Sequence, residues 1–97
     1  MQNSKVTEQN ALALADLFSV LANPYRVQLL QVLSAGEKNV TQILECIDVT
    51  PTALSNHLTK LKRSGVVDFR REHRHLFYFI RDKRVVDLLN QATTELA

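Results

Sequence analysis

Residues Thr50 to Arg63, TPTALSNHLTKLKR, bring hydroxyls, an amide and cations together at a spacing suited to recognition rather than catalysis. Read as a helix, the stretch takes Thr50 as N-cap and Pro51 at the first position, where a missing N–H costs nothing. Leu54, Leu58 and Leu61 recur at i, i+4 and i+7 and so share one side. At about 100° per residue, Thr52, Ser55, Asn56, Thr59 and Arg63 point the other way, flanked by Ala53, His57 and Lys60. That outer face is slim, uncharged over its first two turns, and rich in donors and acceptors. It suits a groove lined with base edges, where an ordinary solvated helix would carry Glu and Lys. Lys60, Lys62 and Arg63 fit either phosphate contacts or simple solubility. His57, beside the leucine face, is expected to be half-buried and to bond backbone or phosphate sooner than to read a base.

Other chemistry finds little to work with. There is no nucleophile with a nearby base, no glycine-rich phosphate loop and no full ligand set for a metal. His73 and His75 stand close together, but two histidines alone rarely make a site. Cys46 is expected to be a small half-buried filler at the edge of its helix, with a redox role the lesser alternative. The expectation is therefore no enzyme, no catalytic residue, no cofactor and no metal.

The net charge of +2 hides an asymmetry. Residues 1–59 carry −2 and residues 85–97 carry −2, whereas residues 60–84 set nine cations against three carboxylates, for +6. Such an excess beside a polar-faced helix is the footprint expected of a polyanion partner, the plain alternative being a basic solvated surface. The single cysteine excludes an internal disulfide and fits a reducing compartment. MQNSKVTEQN has no apolar h-region, so no secretion signal is expected, and no apolar run approaches the roughly 20 residues of a membrane span. Cytoplasm is the expected location.

Several elements must position that helix. The 97 residues allow one domain with an adequate but modest core. A first helix is predicted from about Thr7 to Leu21, with Ala11, Leu14, Ala15, Phe18 and Leu21 at helical spacing and Leu12 and Leu17 widening the stripe. Asn23-Pro24 starts a second, with Val27, Leu30 and Leu33 inward and Gly36 as a left-handed C-cap. Arg26, near its start, suits a fold role more than a phosphate contact. Val40-Thr41 opens a very short third helix, capped by Thr41, with Ile43, Leu44 and Ile47 inward. A tight turn at Asp48-Val49 leads into Thr50, which makes a helix-turn-helix over about 41–64. Gly65 ends the fourth helix. From about 66 to 80 the period is two, so a hairpin follows; with the turn at Glu72-His73, Phe69 faces Leu76 and Val67 faces Tyr78. Phe77 and Phe79 then point away from the core. Asp82 caps a last helix over about 83–96, where Val85, Leu88, Leu89, Ala92 and Leu96 form a stripe. Leu14, Leu17 and Phe18 of the first helix would meet that stripe across a twofold axis, since so small a domain leaves both uncovered.

The runs LANPYRVQLLQVL, NVTQILECIDVTPTALSNHLTKLKRSGVV and RREHRHLFYFI, in this order of elements, resemble the ArsR/SmtB family of bacterial winged-helix repressors. The likeness covers roughly residues 10 to 96 and is most specific in Ser55, His57, Leu58 and Leu61 followed by Gly65-Val66-Val67. It implies a mainly α winged helix-turn-helix, a homodimer through the first and last helices, and repression through an inverted-repeat operator in double-stranded DNA. It places Thr52, Ser55 and Asn56 in the major groove, with Pro51 where many members carry glutamine. Arg70, Arg71 and Arg74, with His75 beside them, match the wing residues that reach phosphate or the minor groove; His73 stands where the wing usually has glycine. The family's metal sites do not carry over. Asn39, Thr41 and Leu44 occupy the third-helix thiolate positions, and Arg84 and Glu95 stand with Asp82 where imidazoles would be. A dithiol switch would need a second cysteine. A winged-helix module that docks a protein through its basic surface is the competing expectation.

Overall fold

A computed structural model describes residues 6–96 of the chain, so Lys5 and the first residues of the N-terminal stretch lie outside it. Five helices and one antiparallel hairpin follow in the order α1 (Glu8–Leu21), α2 (Pro24–Ser34), α3 (Val40–Cys46), α4 (Pro51–Arg63), β1 (Val67–Glu72), β2 (His75–Ile80) and α5 (Lys83–Leu96). This is a winged helix-turn-helix. Each helix starts where a side chain can satisfy its first free N–H groups. Thr7 accepts from Asn10 N, Asn23 from Tyr25 N and Arg26 N, and Thr50 from Ala53 N. Asp82 caps α5 through Arg84 N at 3.1 Å. The third helix corrects the sequence reading. Its cap is Asn39 rather than Thr41, because Asn39 accepts from Gln42 N while the Gln42 side chain accepts from Asn39 N, a reciprocal capping box.

The core is a cluster of aliphatic side chains around the leucine face of α4. Leu54, Leu58 and Leu61 meet Leu29, Leu30 and Leu33 of α2, Ile43 of α3, Val66, Val67 and Ile80 of the hairpin, and Val85 of α5. Leu29 replaces Val27 as a core residue of α2, while Val27 is only half-buried. The turn between α3 and α4 needs no glycine. Ile47 and Thr50 have extended backbone, and Val49 packs against the core.

Two glycines are required where they stand. Gly36 follows α2 at φ +145°, positive but far from the left-handed helical value of roughly +57°. Gly65, at φ +78°, closes α4 in a Schellman arrangement: Gly65 N donates to Lys62 O and Val66 N to Leu61 O, both at 3.0 Å. The accompanying apolar pair, Leu61 and Val66, is buried. The same residues that end α4 thus aim the chain into β1.

In the hairpin, Val67 pairs with Ile80, Phe69 with Tyr78, Arg70 with Phe77 and Glu72 with His75. The turn is therefore His73-Arg74, and the expected register moves by two residues. A shift of two keeps every side chain on its predicted face. The observed register sets buried Val67 against buried Ile80 and stacks Phe69 edge-on to Tyr78 at 5.5 Å. His73 accepts the left-handed backbone of the turn at φ +59°. Lys38 adds a further rung: its N–H and carbonyl bond Tyr78 at 3.1 and 2.8 Å on the free edge of β2.

The outer helices are poorly covered. No residue of α1 is buried; Leu17, Val20 and Leu21 lean on the core, while Leu14 and Phe18 are 48% and 55% exposed. On α5 only Val85 is buried, Leu89 is half-buried, and Leu88, Ala92 and Leu96 are exposed. The Cα radius of gyration, 14.9 Å, exceeds the about 12.5 Å of a compact chain this long. No helix among the described residues is long and apolar enough to cross a membrane.

Replacing Gly65 by alanine is expected to destabilise the protein by roughly 1–2 kcal/mol, the cost of left-handed backbone for an L-residue. No atom lies within 4 Å of the added Cβ, so the cost is one of backbone conformation alone. Thermal unfolding at fixed protein concentration measures it; a Gly65→Asn variant should lose less, and an unchanged midpoint for Gly65→Ala would contradict the account.

Candidate nucleic-acid interface

Burial of Leu54, Leu58 and Leu61 turns the opposite side of α4 to solvent. Thr52, Ser55, Asn56, Thr59, Lys60 and Arg63 are all exposed there. Among the described residues, the polar groups of the Thr52, Ser55 and Asn56 side chains have no hydrogen-bond partner within the chain, so they are open to an outside one. Thr59 differs: its hydroxyl donates to Ser55 O at 2.9 Å and keeps only acceptor capacity. Asn56, Thr59, Lys60 and Arg63 also border a groove whose far wall is Asp16 and Ser19 of α1.

Ala53 and His57 are half-buried on the flank toward α2. The His57 ring stacks on Tyr25 with centroids 6.1 Å apart. Burial, and then the nearby Arg26 guanidinium, hold its pKa below the usual histidine value. His57 is thus a packing residue on the flank of α4. Tyr25, its partner, carries no local sequence signal for that contact. Arg26 itself closes the end of α1, donating through Nε to Val20 O at 2.5 Å and through Nη2 to Ser19 O at 3.5 Å.

The basic stretch from 60 to 84 divides into cations engaged by the fold and cations left open. Lys62 lies 3.6 Å from Asp68 and 5.1 Å over the Phe69 ring, tying α4 to β1. Arg84 donates through Nε and Nη2 to the two oxygens of Asp82 at 3.0 and 2.7 Å. Arg70, expected at the phosphate, instead bonds Glu37 through Nε at 2.8 and 3.1 Å and through Nη2, bonds Glu72 through Nη1 at 2.8 Å, and lies 4.7 Å over the Phe77 ring. Its guanidinium is thus engaged by two carboxylates of its own chain. Phe77, which had no assigned role, is the platform beneath it. Glu37 was missed altogether, since it is 33 residues away in sequence with no local pattern around it.

Lys60, Arg63, Arg71 and Arg74 have no carboxylate within ion-pair distance among the described residues, and Arg71, Arg74 and His75 are exposed along the outer half of the hairpin. Cys46 is exposed at the end of α3 rather than half-buried as filler. Of the stripes expected to meet a second copy, Val85 is withdrawn by its burial in the chain's own core. The described residues contain no cluster of three or more His, Cys, Asp or Glu placed to hold a metal ion.

Residues 23–68 match the family model described as bacterial regulatory protein, arsR family. The biofilm growth-associated repressor of Agrobacterium fabrum is 33% identical over 82 residues, spanning 84% of this chain and 70% of that protein. The solved structure of the transcriptional repressor BigR from Xylella fastidiosa superposes with a TM-score of 0.86 at 30% identity, covering 93% of this chain and 92% of that one. A homodimeric winged helix-turn-helix DNA-binding domain from Mycobacterium bovis superposes at 0.80 with 29% identity, covering 98% and 90%.

Because the folded state favours neutral His57, it holds its full stability above the free-histidine value near 6.5 and loses the His57 contribution as pH falls through the lowered value. The ring resonances of His57 are therefore expected to titrate with a midpoint below about 6.5 in an NMR pH series. A midpoint at or above that value would mean the ring is not desolvated against Tyr25.

Proposed function

The chain belongs to the arsR family of bacterial regulatory proteins, and from that premise we propose that it is a homodimeric, sequence-specific DNA-binding repressor of transcription. The observation that carries the reading is the outer face of α4, where exposed and unbonded Thr52, Ser55 and Asn56 stand beside exposed cations. Two copies of that helix would enter successive major grooves of an inverted repeat, about one helical turn apart. The small polar groups would read base edges while Lys60, Arg63, Arg71 and Arg74 neutralise phosphates and release counterions. His75 would add a contact at the wing, with Ala53 close to the groove floor.

The exposed stripe of Leu14 and Phe18 on α1 and Leu88, Ala92 and Leu96 on α5 is proposed as the dimer contact, with half-buried Leu17 and Leu89 at its inner margin. Burying such side chains is worth roughly 1.5–3 kcal/mol each, so a handful is enough to hold two small domains together. The homodimeric relative from Mycobacterium bovis supports this assembly.

The proposed repressor works without the family's usual metal ligands. Asn39 directs its side chain to its own capping box, and both oxygens of Asp82 accept from Arg84, which has no lone pair to offer a metal. Cys46 is exposed and single, and no redox function is assigned to it.

Titration of an inverted-repeat operator and a random duplex over a range of salt tests the reading. Arg74→Ala is expected to weaken binding to both duplexes and to lower the salt slope by about one. Asn56→Ala is expected to reduce preference for the operator by roughly 1–3 kcal/mol while leaving random-duplex affinity nearly unchanged. Equal losses on both duplexes for both variants would refute the division of roles, and no operator preference in the parent protein would favour a protein-docking module. Phe18→Glu is expected to shift the protein toward monomer in analytical ultracentrifugation and to lower operator affinity; a dimer of unchanged strength would move the interface elsewhere.

A further inference from the structure

Arg70 sits in the middle of β1, and its guanidinium is turned to two carboxylates of its own chain. Its strand partner is Phe77, and its guanidinium crosses the Phe77 ring at 4.7 Å to reach Glu37 on the α2–α3 loop. That loop is already stitched to the hairpin one residue later, where Lys38 exchanges both backbone bonds with Tyr78. Glu72, two residues along β1, holds the other side of the same guanidinium. The loop leads directly into Asn39 and the capping box that starts α3. A side-chain fork and a backbone rung therefore clamp the wing to the front of the helix-turn-helix.

We infer that Arg70 is a positioning residue rather than a phosphate contact, and that Glu37, through it, sets the angle at which the wing meets DNA. The inference rests on the DNA-binding reading above. It makes an unusual claim about sign. Glu37 is an acidic residue close to a basic wing, and simple electrostatics says that neutralising it strengthens attraction to DNA. If Glu37 instead holds the wing in register with α4, neutralising it weakens binding, because Arg71 and Arg74 no longer reach their phosphates together with the helix. Charge alone does not make the clamp. The Glu37 carboxylate takes Nε and Nη2 of the guanidinium, a two-donor grip that the point charge of lysine does not reproduce.

The experiment compares parent, Glu37→Gln, Arg70→Lys, Arg70→Gln and the Glu37→Gln/Arg70→Gln double variant on operator duplex across a salt series, with circular dichroism and ultracentrifugation to establish fold and dimer. The parent must first bind DNA; if it does not, the DNA-binding reading itself fails. Given binding, Glu37→Gln and Arg70→Lys are each expected to lose about three- to tenfold in affinity, toward the lower end of the coupling seen between contacting residues. The salt slope is expected to stay at the parent value in both, since no phosphate contact is removed. The Glu37→Gln/Arg70→Gln pair is expected to cost no more than either single change, because both break one clamp. Tighter binding by Glu37→Gln with a steeper slope would show that Arg70, once released, is a phosphate contact, and would overturn the inference. So would full activity of Arg70→Lys, or a slope lowered by about one in Arg70→Gln.

Discussion

Three leucines on one side of a 13-residue helix govern most of this structure. Leu54, Leu58 and Leu61 are almost fully withdrawn from water. Their burial is worth roughly 1.5–3 kcal/mol each. The residues on the opposite side, Thr52, Ser55, Asn56 and Thr59, are indifferent helix formers, at a cost of up to about 0.7 kcal/mol each. The leucines win, and the helix forms with its weakest formers facing outward. The outer face can then be chosen for hydrogen bonding instead of for stability. The same burial reaches past the end of the helix, since Leu61 and Val66 form the apolar pair of the closing motif and Val67 begins β1. Helix α4 and the hairpin are thus set by one continuous patch of packing.

Electrostatics then sorts the cations. The stretch from 60 to 84 is strongly basic, but its cations do not act alike. Lys62, Arg70 and Arg84 each have a carboxylate partner and two of them lie over aromatic rings. Exposed pairs of this kind contribute little to stability. The carboxyls answer in kind: the Arg70 hydrogen bond holds Glu37, and the Arg84 hydrogen bond holds Asp82, below the usual carboxylate range. Lys60, Arg63, Arg71 and Arg74 lack such partners and remain available to a polyanion. A count of charges would have treated all seven alike.

The outer helices show a different incompleteness. Helical stripes that the chain covers along one edge alone leave apolar surface in water, and no residue of α1 is fully buried. The extended radius of gyration reflects this. One edge of each stripe rests on the core through Leu17 and Leu89, and the other faces outward through Phe18 and Leu88. A second copy supplies the missing surface in the homodimeric reading, and it would place two recognition helices at a fixed spacing.

Much of this was legible in the residues alone. Periodicity located all five helices and both strands, Asn23, Thr50 and Asp82 were readable as caps, and Gly65 as a stop, because these signals act over four residues or fewer. The hairpin was readable but its register was not, since a two-residue shift leaves the pattern of faces intact. The Asn39–Gln42 capping box is equally local, but Thr41 two residues on is itself a good cap residue, and sequence alone does not choose between them. The chain by itself therefore determined which elements form and which face of each is apolar, through interactions between near neighbours. Only the tertiary structure decided which polar groups stay free: Arg70 and Arg71 are adjacent and chemically identical, and what separates them is a carboxylate 33 residues away that folding brings to one of the two.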